Sequence, residues 1–337
     1  MKIIKAIQKL MNINNFYFVL TMLLIIGLTS CRLGDATGPG TNIPYIYHIG
    51  EINTPGFAYA VAASGNKAYI ADGIGGLRII DISMMHFPDE VAYYEDDGVY
   101  YDVKFSGGDH AYVAAGEAGF KIIDVNSPFG PELIGQYSTF NAFGLDFAGN
   151  YIYLADFTDG IKILDITSTY NVFPISSFSV SGQIVNNVTI SWPYLYASAR
   201  YGFSIIDISN PFAPLEVHFE PLSNVYDIEV MNQLAYIAYE GGLRIYDVSQ
   251  PSDPQELGFC DLPATARSVQ VRGDFAYLAI GSSGLSIVRI TNPLQPFEIA
   301  YYNPVAGEMS DLLLFGRYLL IANGNAGFLI LEFSPGY

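Results

Sequence analysis

Carboxylates and amides recur at two aligned places along this 337-residue chain. One set is Asp102, Asn187, Asp227 and Asp311, with Ala60, Gly144 and Ser268 at the equivalent positions. The other is Asp72, Asp156 and Asn323, in register with Ala115, Ala199, Tyr239 and Ile280. Such side chains are the oxygen ligands a hard cation such as Ca²⁺ takes, so a ring of them could hold a metal, although no cofactor is firmly implied. The same residue types also accept hydrogen bonds from backbone N–H groups of neighbouring turns, which is a purely structural use. An aromatic group forms the second candidate: Tyr94, Tyr100, Tyr101, Phe140, Phe143, Tyr226 and Tyr302 stand at or near the segments that lead into the first set. Aromatic rings on loops serve as binding anchors, and inside strands they serve as packing. No catalytic residue is assigned. His48, His86, His110 and His218 are scattered without a metal-binding spacing, and neither a G-x-S-x-G elbow nor a phosphate loop occurs.

The elements that would position these residues are repeated. The stretch Gly76–Ser83, GLRIIDIS, returns as GFKIIDVN, GIKILDIT, GFSIIDIS, GLRIYDVS, GLSIVRIT and GFLILEFS, its leading glycines 40 to 43 residues apart. Self-similarity at that period marks an array of one supersecondary unit. A second strand precedes each copy (KAYIAD, HAYVAA, YIYLAD, YLYASA, LAYIAY, FAYLAI, YLLIAN), and four copies are followed by proline linkers, NSPFGP, SNPFAP, SQPSDP and TNPLQP. With a strand before and a strand after, each unit has four short strands, and no segment carries a helical period over ten residues. Four strands every forty-odd residues predict a β-propeller of antiparallel blades. The strand-three acids Asp81, Asp124, Asp165, Asp207 and Asp247 recur too uniformly to mark a site, and read as scaffold.

The AYVA strand followed by GLxIxDVSxPxxP resembles the LVIVD repeat, a bacterial surface and secreted propeller family, over the chain from about residue 44. Arg289 and Glu332 stand where the pattern has Asp, so units six and seven depart from it. The last unit ends after three strands, and residues 45–51 align with fourth-strand segments such as PELIGQYS. An open propeller would expose two sheet edges. The expectation is therefore an all-β, seven-bladed propeller over 44–337, closed by the N-terminal strand pairing with 328–333.

The first thirty residues read differently. Lys2, Lys5 and Lys9 precede a 13-residue apolar run, Phe16 to Leu28, and then Leu28-Thr29-Ser30-Cys31. That is the layout of a secretory signal, too short to span a bilayer. The LTSC ending resembles a bacterial lipobox, which implies cleavage after residue 30 and lipid on Cys31. Residues 31–43 then form a Gly-, Thr- and Pro-containing tether. The expected address is the cell envelope, at the outer membrane or cell surface. Removing the signal would leave 12 Lys and Arg against 33 Asp and Glu, a net charge of −21. Nucleic acid is thereby an unsuitable partner, since phosphates need a basic footprint. With Cys31 lipidated, Cys260 would be left without a disulfide partner, and it reads as a small buried hydrophobe. Two functions fit these features. The first is a non-catalytic, monomeric, lipid-anchored propeller that binds a protein or glycan. The alternative is a metal-dependent, lactonase-like hydrolase with an acidic site at the channel mouth, which both aligned sets of carboxylates and amides are expected to rim.

Overall fold

Each unit folds into four antiparallel strands because its apolar residues alternate and its turns carry residues that reverse the chain. The computed structural model describes residues 45–105, 108–127, 130–181 and 184–335. The segments read as signal sequence (1–30) and as lipidated Cys31 with its tether (31–43) lie outside the described residues. Seven four-stranded sheets form, and no helix occurs among the described residues. Six are built from consecutive strands; in blade one these are Ala60–Ser64, Lys67–Ala71, Leu77–Asp81 and Asp89–Tyr94. The seventh combines both ends of the chain: Asp311–Phe315, Tyr318–Ala322 and Phe328–Ser334, with Tyr45–Ile52 as its outer strand. Tyr45 pairs with Ser334 and Ile52 with Phe328, so the expected closure is present.

The leading glycine of the repeat is explained by geometry. Gly76 has φ of 76°, and a Cβ there would lie 2.2 Å from the Tyr94 carbonyl oxygen at the end of the outer strand. The six equivalent glycines all have φ in the left-handed half of the map and the same carbonyl clash, which only glycine relieves. The strand-three acids close the other end of the unit. Asp81 Oδ1 accepts from Ser83 N at 2.7 Å, and Asp124, Asp165, Asp207 and Asp247 each accept from the backbone N–H two residues on, which starts the linker turn.

Apolar side chains fill the layers between neighbouring blades. One layer joins blades one and two through Tyr69, Leu77, Ile79, Val103 and Val113; another joins blades seven and one through Val61, Ile70, Leu320, Phe328 and Ile330. Seven such clusters surround the ring, so no sheet face between blades is left open. Cys260 lies in one of them at 1% exposure. It is disulfide-bonded, which corrects the expectation of a residue without a disulfide. That expectation counted Cys31 as lipidated, whereas an unmodified chain has two thiols.

Candidate functional site

The first strand of every blade faces the central axis, and its head carries a doubled residue. In blade one Tyr59 N donates to Ala71 O at 2.8 Å, while Ala60 also pairs with Ala71. Blade two repeats this with Tyr101 and Asp102 opposite Ala114, and blades four and five shift register at the same place, between Val185 and Asn187 and between Val225 and Asp227. Two residues opposite one is a β-bulge, which breaks the in–out alternation. Consecutive residues therefore both reach the channel.

The result is a cavity of about 500 Å³ lined at three levels. Tyr59, Tyr101, Phe143, Asn186, Tyr226, Arg267 and Ser310 form the mouth. Below them are Asp102, Asn187, Asp227, Ser268 and Asp311, with Ala60 and Gly144. Two residues further along the strands come Lys104, Asp146, Thr189, Glu229 and Gln270.

Polar channel side chains join neighbouring blades at six of the seven seams, blade one carrying Ala60 at this position. Asp102 Oδ2 accepts from Leu145 N at 2.9 Å, Asp146 Oδ2 from Ile190 N at 2.7 Å, Asp227 Oδ2 from Val269 N at 2.9 Å and Asp311 Oδ2 from Val61 N at 3.0 Å. Asn187 Nδ2 donates to Asp227 Oδ1 at 3.1 Å. The hydroxyl of Ser268 lies 2.7 Å from Asp311 Oδ1 and 3.2 Å from Asp227 Oδ2, one proton between two carboxylates. Gly144 is forced by the same closeness, since a Cβ there would stand 2.5 Å from Asn187 Oδ1.

These carboxylates share one ammonium. Lys104 Nζ lies 3.9 Å from Asp102 Oδ1, and Asp102, aided by Asp146, Asp311 and Asp227, holds the lysine above its ordinary range against the opposing effect of burial. Burial, partly offset by Lys104, raises Asp311 to about 6. Burial, reinforced by Asp227, raises Glu229 to about 7. Asp146 and Asp227 move the same way, again chiefly through burial. Desolvation thus outweighs the single cation, and the channel favours either protons or a further positive charge.

Over the mouth the aromatic rings form a continuous arc. Phe57 and Tyr59 have centroids 4.6 Å apart, Tyr59 and Tyr101 4.9 Å, Tyr101 and Phe143 4.5 Å, Phe143 and Phe157 5.0 Å. All five rings are half-buried, leaving part of each open to a ligand.

The sequence-derived candidates separate into two groups. Asp102, Asn187, Asp227 and Asp311 line the channel, as do Tyr101, Phe143 and Tyr226. Asp72, Asp156 and Asn323 do not line it, which corrects their placement on the rim. Their strand is one step removed from the axis, and their side chains turn back onto the connector that enters their own blade. Asp72, fully buried, accepts from Thr54 Oγ1 at 2.5 Å and Gly56 N at 2.8 Å. Asp156 accepts from Asn141 N at 2.7 Å, and Asn323 Nδ2 donates to Ala306 O at 3.2 Å. Tyr100 is also wholly buried, its hydroxyl donating to Asp96 Oδ1 at 3.2 Å. Tyr94 and Tyr302 pack against inter-blade clusters, and Phe140, though 60% exposed, stands outside the channel lining. Sequence reasoning missed Lys104, Asp146, Glu229 and Gln270, although the period of two along a strand points to them from Asp102, Asp227 and Ser268. It also missed Phe57, Tyr59 and Phe157, for which only the bulge and the ring gave the signal.

Comparison with known proteins adds the following. A family model described as LVIVD repeat matches residues 55–96, 98–139, 141–171, 182–218, 224–262 and 263–304. No curated protein matches the chain. Among solved structures, the crystal structure of the computationally designed Ika8 protein is similar in fold, with a TM-score of 0.65 at 10% identity, covering 87% of this chain and 100% of that one.

Proposed function

Because the chain belongs to the LVIVD-repeat family, we propose that it is a non-catalytic, lipid-anchored β-propeller of the cell envelope that binds a protein or glycan at its channel mouth. The observation that carries this reading is the half-exposed arc of Phe57, Tyr59, Tyr101, Phe143 and Phe157 set over a polar, acid-rich cavity. Flat rings offer stacking surfaces to a sugar face or a partner side chain at small entropic cost, and the polar level beneath supplies hydrogen-bond partners. The hydrogen bonds across six of the seven seams keep those rings on a rigid base.

The hydrolase alternative needs carboxylates free to coordinate a metal. Asp227 accepts two hydrogen bonds on each oxygen, from Ile228 N, Asn187 Nδ2, Val269 N and Ser268 Oγ, which uses the lone pairs a cation would take, and Asp102 accepts a backbone N–H on each of its oxygens. Among the described residues no group of three or more His, Cys, Asp and Glu is arranged to hold a metal. Thermal melts with Ca²⁺ and with EDTA test the choice. The binding module predicts no shift and no stoichiometric metal; a bound ion at Asp102, Asp227 and Asp311 would favour the hydrolase.

Lipid is assigned to Cys31. The chain has two cysteines, so lipid on Cys31 and a disulfide at Cys260 exclude each other in one molecule. Intact-mass measurement of the protein extracted from membranes should show an acylated N-terminal cysteine; an unacylated mass, with thiols appearing on reduction, would contradict the anchor.

A further inference from the structure

The two faces of the ring differ in what they expose. One face holds the channel mouth and the turns between second and third strands. The other holds the turns between first and second strands and the proline linkers between third and fourth. Among the described residues, nineteen large apolar side chains are exposed; ten are on the second face, four on the mouth face and five on outer strands. The linkers supply five of the ten, Met84 and Phe87 in blade one, Tyr170 in blade three, Phe212 in blade four and Leu294 in blade six, all 61–79% exposed, and Tyr45, Phe173, Leu215 and Phe297 add the first residues of outer strands. Trp192, the only tryptophan, adds a 62% exposed ring from the turn nearer the axis.

These side chains are held outward. In blades one, three and six the linker backbone lies against a glycine of the neighbouring outer strand: a Cβ on Gly50 would stand 2.3 Å from Met85 O, on Gly135 2.0 Å from Thr169 O and on Gly258 2.5 Å from Pro293 O. In blade four Pro211 O accepts from Ser176 Oγ at 2.7 Å. The linkers cannot fold their apolar residues away without giving up these contacts. Isolated exposed apolar residues are ordinary, but a one-sided set distributed around a disc is a surface for something apolar.

The place where the described chain begins identifies what that is. Tyr45, the first described residue, pairs with Ser334, at the linker end of the seventh blade, so the N-terminal strand begins at this same face. We infer that the linker face seats directly on the lipid bilayer, with Trp192 and the linker aromatics at the headgroup level and the channel mouth turned away from the membrane. The inference rests on the proposed anchor at Cys31 for its setting: lipid fourteen residues before Tyr45 would keep the face at which that strand begins at high effective concentration near the bilayer. Tyr, Trp and Phe are the side chains suited to the boundary between headgroups and acyl chains. The acidic chain is repelled by anionic headgroups, so the bilayer surface that fits is zwitterionic.

Residues 45–335 contain every strand of the seven sheets, so a chain from residue 32, lacking lipid, folds and isolates the docking step. Trp192 is the reporter. With phosphatidylcholine vesicles its emission should shift to the blue and be quenched by brominated acyl chains, and admixed anionic lipid should weaken both effects. Replacing Phe87, Tyr170 and Phe212 together by Ser should lower the vesicle partition on the order of tenfold or more, while Ile74→Ser and Phe140→Ser on the mouth face leave it unchanged. Unaltered emission up to millimolar lipid would overturn the inference. So would a blue shift that needs no vesicles and grows with protein concentration, which would give the face to a second copy of the chain. The mass at Cys31 reports the anchor separately and is unaffected by either result.

Discussion

Removing the one lysine from the channel floor tests whether the acid ring is held by charge. Lys104→Met keeps most of the side-chain length and deletes the ammonium. Its Nζ lies 3.9 Å from Asp102 Oδ1, a contact of about 4 kcal/mol at an effective dielectric near 20. The Lys104 side chain is 38% open to channel water, and screening of that kind reduces the contribution to on the order of 1–2 kcal/mol. The pH dependence follows from the acids. Asp311 at about 6 and Glu229 at about 7 both titrate above their ordinary values in the folded protein. A raised carboxyl costs nothing below its unfolded value and its full penalty above its folded value, so stability from these groups falls as pH rises from about 4 through 7. Lys104 limits that penalty, because it lowers both groups. Without it both rise further, and the loss on substitution should be about twice as large at pH 8 as at pH 5. Urea unfolding at the two pH values, followed by circular dichroism, measures this. An equal loss at both, or a variant more stable than the parent at pH 8, would refute the electrostatic reasoning.

Two further outcomes test the architecture. Deleting residues 45–52 removes the outer strand of blade seven and exposes the edge at Phe328–Ser334, so the melting temperature should fall by roughly 10 °C, a loss of several kcal/mol; an unchanged melt would contradict closure by the termini. Asp72→Ala leaves Gly56 N–H and the buried Arg78 without a partner they now share, and should cost about 2–4 kcal/mol in denaturant unfolding with no change in ligand binding at the mouth. A loss of binding without a loss of stability would return Asp72 to the channel.

The ring itself was legible because forty-residue periodicity survives every substitution between blades, and the missing fourth strand of the last unit matched residues 45–51. Half of the candidate site was legible for a related reason: Asp102, Asn187, Asp227 and Asp311 stand in a column that varies between blades while the scaffold strands do not, and they do face the axis. Asp72, Asp156 and Asn323 occupy an equally irregular column, but alignment gives the order of strands and not their distance from the axis. Their side chains satisfy a connector, as the turn chemistry of Asp and Asn allows. The aromatic arc was obscured by the bulge, which adds one residue to the strand head and turns Tyr59 and Tyr101 into the mouth instead of the blade interface. The linker face was hidden because the proline motif reads as a spacer; its apolar residues acquire meaning only when the closed ring places them side by side.

The central claim is that this propeller binds its partner through the aromatic mouth of the channel. The direct measurement is binding of the lipid-free chain from residue 32, compared with its Tyr101→Ala and Phe143→Ala variants, to a glycan array and to solubilised proteins of the native envelope. The account predicts a ligand retained by the parent and weakened at least tenfold in both variants, with the fold intact by melting. A ligand bound equally well by parent and variants would contradict it.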